Sequence, residues 1–403
     1  MKKWIFSLIF SLFISSCMVF YAQVEVEPGY DYNRFRDAGI TLNVYNWGEY
    51  ISNGTDGSLD VIKEFEELTG IHVNYNTFDT NESMYAKIKS GGANYDVIIP
   101  SDYMVAKMIQ EDMLEKLNFD NIPNIRFIDE TSKNLVYDPT NEYSVPYTWG
   151  LVGIIYNETM VDPEDLKQGW SLLWDEKYTK NILMYNNSRD AFAIAAKIQG
   201  KSINPSTIKE IDDSAELLKQ QKNVVQAYVM DEVFDKMSGE EAAIAPYYVG
   251  DGITMMRDNP NLKIILPKEG TNRYSDAMCI PKGAKNKEAA EMFINFMTET
   301  AVAKANIEHI SYSTPHKEVK KQLPPEIRDN PMLYPPKEYL QLCESMLMLP
   351  SEINEAMDRA WSDIRSYDTS GSGWVFPITL LLMLIASAIG YAKKAKRRKN
   401  RIY

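Results

Sequence analysis

Cysteine and histidine are both scarce, with three of each among 403 residues. Three cysteines are too few for a disulfide scaffold, and their spacing matches no zinc-binding pattern. The histidines, His72, His309 and His316, lie far apart and outside any HExxH arrangement. These absences argue against a disulfide-rich module and against a zinc hydrolase. Whether Cys279 and Cys343 pair with each other stays open at this point.

Basic residues are also in deficit, because 43 Lys and Arg face 56 Asp and Glu, which leaves a net charge of −13. A general nucleic-acid-binding protein needs a basic face to displace counterions from phosphates, so no nucleic-acid partner is expected. The sequence also lacks a phosphate-binding loop, a GxGxxG after a strand and a GxSxG elbow. No catalytic constellation, metal or cofactor is indicated, and the prediction is a protein that is not an enzyme.

The N-terminal end has the pattern of an export signal. Lys2 and Lys3 precede an apolar run from Trp4 to Ile14, which Ser-Ser-Cys17 follows. A short basic region before about a dozen apolar residues is typical of a secretory signal peptide. Residues 1–17 are therefore predicted to be a signal peptide or lipoprotein signal with Cys17 as the lipidated residue; cleavage near Ala22, or none, is the alternative. Residues 18–36 are expected to be a tether.

The C-terminal end carries a candidate membrane span. Residues 374–392 contain no charged residue, and seven Lys and Arg follow in residues 393–403. A helix of that length, at 1.5 Å per residue, nearly crosses a hydrocarbon core of about 30 Å. The positive-inside rule places the basic tail in the cytoplasm and the rest outside. The expectation is an ectodomain joined by a linker, residues 368–373, to a transmembrane helix; a buried core helix is the alternative.

Between the two ends, apolar periodicity alternates between that of strands and that of helices. Residues 40–47, 72–78 and 95–100 read as strands, whereas 60–68 and 81–89 have helical spacing. Strands that alternate with helices predict an α/β protein with a parallel sheet that has helices on both faces. With 403 residues, 45% of them apolar, the chain is long enough for two domains.

Seven sequence blocks in this region occur in an order that resembles the spermidine/putrescine-binding proteins, the substrate receptors of polyamine ABC transporters. The blocks are VYNWGEY (44–50), NESMYAK (81–87), YDVIIPSDY (95–103), YSVPYTWG (143–150), WSLLW (170–174), PKEG (267–270) and IPKGAKNK (280–287). The resemblance implies the two-lobed periplasmic-binding-protein fold, with two crossovers and a cleft that closes like a hinge. It places lobe 1 at 37–146 and 267–318, and lobe 2 at 147–266 and 319–367.

The same resemblance implies a ligand-binding site for putrescine or spermidine, with permease subunits of an ABC transporter as partners. Carried over residue by residue, the site has aromatic walls, carboxylate acceptors and further lining residues. The walls are Trp47, Tyr50, Tyr103 and Tyr274, the acceptors are Glu49, Asp190 and Asp276, and the further lining residues are Ser101, Asn187, Tyr248 and Tyr312.

These residue types suit a polyamine for physical reasons as well. A polyamine is a chain of methylenes that carries ammonium groups. Aromatic rings can cover the methylenes and attract the cations, each contact contributing about 0.5–2 kcal/mol. Each ammonium also needs a carboxylate or hydroxyl acceptor, because an unpaired buried charge is very costly.

Five positions depart from the family pattern, and one of them is Tyr248, where the family usually has the larger ring of tryptophan. Asn187 stands where a spermidine receptor typically has an aspartate, and Asp190 where it has the longer glutamate. Gly48 replaces a residue that often carries a hydroxyl or carboxylate, and Met346 lies near a position where the family often has glutamine. Fewer acceptors favour a ligand with fewer charges, so the sequence predicts putrescine over spermidine.

Two other functions fit parts of the sequence. Tyr247 and Tyr248 resemble the paired tyrosines of ferric-iron receptors with the same architecture, since phenolates suit Fe³⁺. A membrane-anchored ligand sensor would suit the anchor, but only residues 393–403 follow the span, too few to fold as an output domain. The prediction is therefore a polyamine receptor at the cell membrane, contacting lipid through its C-terminal helix, with its binding domain in the periplasm or at the cell surface.

Overall fold

The computed structural model describes residues 24–92 and 94–367. The signal segment with Cys17, the linker, the predicted transmembrane helix and the basic tail lie outside the described residues. Within the described ranges, no helix is both long and apolar enough to span a membrane.

Nine strands form a continuous hydrogen-bonded array in the order β2-β1-β3-β9-β4-β7-β5-β6, with β8 also paired to β4. The strands are β1 (Thr41–Trp47), β2 (His72–Phe78), β3 (Val97–Ile98), β4 (Ser144–Asn157), β5 (Ile182–Tyr185), β6 (Val225–Val229), β7 (Ile244–Tyr248), β8 (Leu262–Ile265) and β9 (Arg273–Cys279).

Thirteen α-helices in the described residues surround these strands. They are α1 (Val61–Thr69), α2 (Asn81–Lys89), α3 (Asp102–Gln110), α4 (Ser188–Ile198), α5 (Ile208–Gln221), α6 (Glu232–Ser238), α7 (Val249–Asp258), α8 (Lys287–Met297), α9 (Thr300–Ile310), α10 (Lys317–Gln322), α11 (Pro325–Arg328), α12 (Lys337–Leu340) and α13 (Ser351–Ser366). Short 3₁₀ helices lie mostly in the loops between β3 and β5.

The strand β4 divides the array into two sheets. Its residues up to Leu151 pair with β9, next to β3, β1 and β2, whereas Val152 and the residues after it pair with β7 and β8. The parallel pairs lie on either side, β1 with β2 and β3, and β5 with β6 and β7. The result is two α/β lobes joined by a shared strand, as the fold prediction requires, although β4 and β9 make the sheets mixed rather than wholly parallel. The exact lobe boundaries stay a prediction.

Local sequence signals explain where several helices begin and end. Asp60 accepts a hydrogen bond from the backbone N–H of Lys63 and caps α1, which ends at Gly70 with a φ of +72°. Thr80 and Ser83 form a reciprocal capping box at the start of α2. Such caps satisfy backbone N–H groups that the first helical turn leaves unpaired. They fix the loops that follow β1 and β2, where part of the site lies.

The segment expected to be a tether packs, from residue 24 on, against the first lobe. Tyr32 is buried, and its hydroxyl donates to Glu299 Oε1 at 2.6 Å and accepts from Asn295 Nδ2 at 2.9 Å. The backbone N–H of Glu27 donates to the second oxygen of Glu299 at 2.8 Å. The polar composition of the segment gave no indication of this contact. A few apolar residues, among them Val24 and Tyr30, are enough to pack a short segment on a core.

Candidate functional site

A cavity with an empty volume of about 660 Å³ lies between the two lobes. All eleven side chains predicted for the site line it. They are Trp47, Glu49, Tyr50, Ser101, Tyr103, Asn187, Asp190, Tyr248, Tyr274, Asp276 and Tyr312. The structure therefore brings together residues that are up to 265 positions apart in the chain, from Trp47 to Tyr312.

Most of these residues follow the carboxyl ends of strands. Trp47 ends β1, Ser101 and Tyr103 come after β3, Asp190 lies in the helix after β5, and Tyr248 ends β7. In open α/β sheets the crevice beyond the carboxyl ends of the strands is the usual place for a ligand. The lobes turn these ends toward each other, while β9 contributes two further residues from along its length.

Tyrosine rings form a continuous wall of the cavity. The ring centroid of Tyr312 lies 4.8 Å from that of Tyr50 and 6.3 Å from that of Tyr274, and Tyr274 lies 5.2 Å from Tyr248. All three pairs meet edge to face, the arrangement that aromatic quadrupoles favour. Gly250 allows this packing, because a Cβ there would collide with the Tyr312 ring.

Trp47 forms the wall on the side of β1. Its indole Nε1 donates to the carbonyl of Ile99 at 2.9 Å, and its ring packs against Phe78 at a centroid distance of 4.5 Å. The hydrogen bond satisfies the only polar atom of the indole. The ring is thereby held in one orientation, with an apolar face available to the cavity.

Asp276 and Asp190 are buried carboxylates with tyrosine partners. Tyr50 donates to Asp276 Oδ2 at 2.5 Å, and Tyr248 donates to Asp190 Oδ2 at 3.0 Å. Both side chains are at most 5% exposed. Burial raises the pKa of each to about 6, because it penalises the charged form. Among the described residues, the buried Oδ1 of Asp276 makes no hydrogen bond, and Ser101 is the nearby hydroxyl that lowers the pKa of this carboxylate.

Sequence reasoning missed seven lining residues. They are Asn81, Asp102, Met230, Asp231, Phe234, Asp251 and Asn272. Three are carboxylates, so the lining contains six carboxylates in all, with no Lys, Arg or His among its described residues. Burial raises the pKa of both Asp102 and Asp251 above its ordinary value.

A sequence signal existed for two of the missed carboxylates. Asp231 follows β6 by two residues, and Asp251 lies in the first turn of the helix after β7. Polar residues after an apolar strand are candidates for a crevice at a sheet edge. The strands themselves were not predicted, so this signal was not used. The assumption that the site has few acceptors therefore undercounts the carboxylates.

Asn187 lines the cavity but is also the N-cap of α4. Its Oδ1 accepts hydrogen bonds from the backbone N–H groups of Arg189 at 2.9 Å and Asp190 at 3.4 Å. The carboxylate of the family pattern is thus replaced by an amide whose oxygen already has two donors. Met346, another position that departs from the family pattern, also lines the cavity and offers only a thioether, which is a weak acceptor.

The adjacent residues Tyr247 and Tyr248 contact different carboxylates. Tyr248 donates to Asp190, whereas the hydroxyl of Tyr247 lies 3.5 Å from Asp231 Oδ1. Burial raises the pKa of both phenols well above its ordinary value, which favours the neutral, donating form. The two hydroxyls are directed at different carboxylates rather than at one point, so this geometry gives the iron hypothesis no support. The described residues also contain no group of three or more His, Cys, Asp or Glu that could hold a metal ion.

The cysteines of the described region do not form a disulfide. Cys279 is buried on β9, and Cys343 is half-buried in the C-terminal segment; both are free thiols. Cys279 and Cys343 therefore do not pair with each other.

Comparisons with known proteins agree with this fold. Residues 93–341 match the family of bacterial extracellular solute-binding proteins. The chain is 36% identical over 297 residues to the spermidine/putrescine-binding periplasmic protein of Salmonella typhimurium, covering 73% of this chain and 83% of that one. It is 25% identical over 345 residues to a putrescine-binding periplasmic protein of Escherichia coli, covering 81% and 91%.

A solved structure gives the same result. The spermidine/putrescine ABC transporter substrate-binding protein of Streptococcus pneumoniae superposes with a TM-score of 0.67 at 35% identity, covering 81% of this chain and 99% of that chain. The similarity extends over nearly the whole of the solved protein, including both lobes. The chain therefore belongs to the bacterial extracellular solute-binding proteins, and within them to the spermidine/putrescine-binding proteins of ABC transporters.

Proposed function

We propose that this chain is the extracytoplasmic receptor of an ABC importer and binds putrescine or spermidine in the cavity between its lobes. One observation carries the proposal: six carboxylates and a wall of tyrosines line a single cavity whose described lining contains no basic side chain. Such a lining repels anions, and the carboxylates outnumber the buried cation beside the cavity, Arg189. A flexible cation with apolar segments satisfies both the carboxylates and the rings.

The acceptor atoms support an amine rather than a metal cation. Asp276 Oδ1 and Asn272 Oδ1 are buried and make no hydrogen bond among the described residues. An ammonium group supplies up to three N–H donors and a full positive charge. Methylenes between two ammonium groups can lie along the rings of Tyr274 and Tyr312, which adds burial of apolar surface to the charge pairing.

The two-lobed fold gives the receptor a way to signal ligand binding to the permease subunits. The lobes are joined by β4, and the cavity lies between them, so a bound ligand contacts both lobes and favours their closed arrangement. A ligand shifts such an equilibrium by its difference in affinity for the two states. The closed receptor is then the form that the permease distinguishes from the empty one.

We expect tighter binding of putrescine than of spermidine. The number of carboxylates no longer supports this preference, but the capped oxygen of Asn187 and the thioether of Met346 do, because neither provides a strong acceptor for a third ammonium. Calorimetric titration of the full-length chain with both amines measures it. A lower dissociation constant for spermidine would overturn the preference while leaving the polyamine function intact.

Replacing Asp276 by asparagine should weaken putrescine binding by at least about 30-fold. The substitution keeps the shape but removes a buried charge partner of the ammonium, a loss of about 2–4 kcal/mol. Asp258→Asn is the matched control, because Asp258 is an exposed aspartate outside the cavity lining. Equal affinities of the Asp276→Asn variant and the wild type, measured by calorimetry, would contradict the proposed site.

Putrescine affinity should fall as the pH decreases from 7 to 5. The pKa values of Asp190 and Asp276 are raised to about 6, so both lose charge in this range, whereas primary ammonium groups stay protonated. Each carboxylate that must ionise contributes up to about a tenfold loss per pH unit below its pKa. Dissociation constants at pH 5, 6, 7 and 8 test this, and Asp276→Asn should show a shallower dependence.

The same raised pKa values affect the stability of the empty receptor in the opposite direction: its free energy of unfolding decreases as the pH rises. Between the ordinary pKa of 3.8 and about 6, the folded protein holds a proton on these groups that the unfolded chain has lost. Their contribution to the free energy of unfolding is therefore greatest at low pH and is lost as the pH rises through this window.

For binding, a putrescine affinity that is constant from pH 5 to 8 would contradict the argument that burial raises the pKa of Asp190 and Asp276.

We also propose that residues 374–392 anchor the receptor, because this uncharged stretch is followed by seven basic residues. In cells, the full-length chain should stay with the membrane after alkaline carbonate extraction. A chain that ends at Tyr367 and also carries Cys17→Ser should be released in soluble form, since it lacks both candidate attachments. Release of the Cys17→Ser chain with its C-terminus intact would contradict the C-terminal anchor.

A further inference from the structure

Arg189 is a buried cation next to the cavity, and the site described above does not use it. It lies in the first turn of α4, between Asn187 and Asp190, and is 4% exposed. Its guanidinium carbon lies 4.7 Å from the centroid of the Tyr103 ring, a cation–π distance. Its Nη2 donates to the carbonyl of Leu347 at 3.1 Å.

The stacked pair joins the two lobes. Arg189 is on α4, which packs against β5 and α5, whereas Tyr103 is on α3, which packs against β9. The Tyr103 ring is held on its own lobe, because its hydroxyl donates to Glu82 Oε1 at 2.9 Å and lies 3.2 Å from Asn81 Nδ2. The contact therefore depends on how close the lobes are, and its tyrosine also lines the cavity.

Arg189 is in an unusual environment for an arginine. Burial lowers its pKa, against the opposing effect of Tyr103, Glu82, Asp102 and Asp190. Its Nε is buried and has no hydrogen-bond partner among the described residues. Guanidinium groups normally use several of their five donors, and here the Tyr103 ring face and neighbouring carboxylates take the place of water around the group. The buried position is sustained by the ring face and the surrounding carboxylates of the closed arrangement.

We propose that Arg189 is a positioning residue that holds the cleft closed over its ligand by stacking on Tyr103, while its hydrogen bond to Leu347 orients the guanidinium on its own lobe. The inference rests on the proposed polyamine function. The stacked pair breaks when the lobes separate, so it acts on the release of the ligand more than on its entry. Tyr103 consequently has two roles, as a wall of the cavity and as the ring on which the opposite lobe closes.

The test measures association and dissociation rates of putrescine for the full-length chain. Arg189→Met keeps the length of the side chain but removes the charge and the donors, and Arg189→Lys retains the charge without the planar group. The Met variant should dissociate about tenfold faster, with association changed less than twofold, and the Lys variant should be intermediate. Arg328→Met is the control, since Arg328 lies outside the cavity lining and its guanidinium pairs with the neighbouring Asp329.

A second measurement separates closure from general stability. In the ligand-free protein, Arg189→Met should lower the melting temperature by less than it does in the putrescine complex, so the increase on adding putrescine should be smaller than in the wild type. The effects of Arg189→Met and Tyr103→Leu on the dissociation rate should be non-additive, because both remove the same contact. An equal decrease in melting temperature with and without ligand would overturn the inference in favour of a purely structural role.

The two proposals fail in different ways. Putrescine binding by the wild type with an unchanged dissociation rate in Arg189→Met would overturn the closure role alone. Absence of binding of either putrescine or spermidine to the wild-type chain would overturn the proposed function, and the closure role with it.

Discussion

Burial of negative charge between two lobes is the constraint on which the rest of this structure depends. Asp190 and Asp276 are almost fully excluded from water, and the described lining of their cavity contains no basic side chain. A desolvated carboxylate without a counterion is costly, which is why burial raises the pKa of both. The fold tolerates this cost because tyrosine hydroxyls donate to each carboxylate. The remaining demand for positive charge is the basis of the proposed selectivity for cations.

The architecture brings the carboxylates that need a positive charge together in one cavity. Parallel strands on either side of β4 direct their carboxyl ends toward a common gap, and the loops after them carry the polar residues. Tyr248 and Tyr274 connect the two sides of this gap through an edge-to-face contact. Because the walls come from both lobes, occupancy and closure are parts of one equilibrium. The Arg189–Tyr103 contact adds a cation supplied by the protein itself at the edge of the same cleft.

Much of the fold and of the site was predictable from the sequence, for identifiable reasons. Short-range signals located β1, β2, α1 and α2 to within about a residue, because apolar periodicity and caps act over a single turn or strand. The start of the strand β4 at Ser144 is not visible in the sequence pattern, since Pro146 and a register shift interrupt it. Asp251 was missed because the strand before it was not recognised.

The sequence by itself determined the class of protein, the acidic character of the chain and the eleven residues that its resemblance to a family assigns to a site. These properties are carried by residue types and their order, which need no coordinates. Only the tertiary structure decided that Asp102, Asp231 and Asp251 join the same cavity, that Asn187 is occupied as a helix cap, and that residues 24–36 pack on the first lobe. These facts depend on contacts between distant segments, and such contacts are set by packing in three dimensions rather than by local pattern.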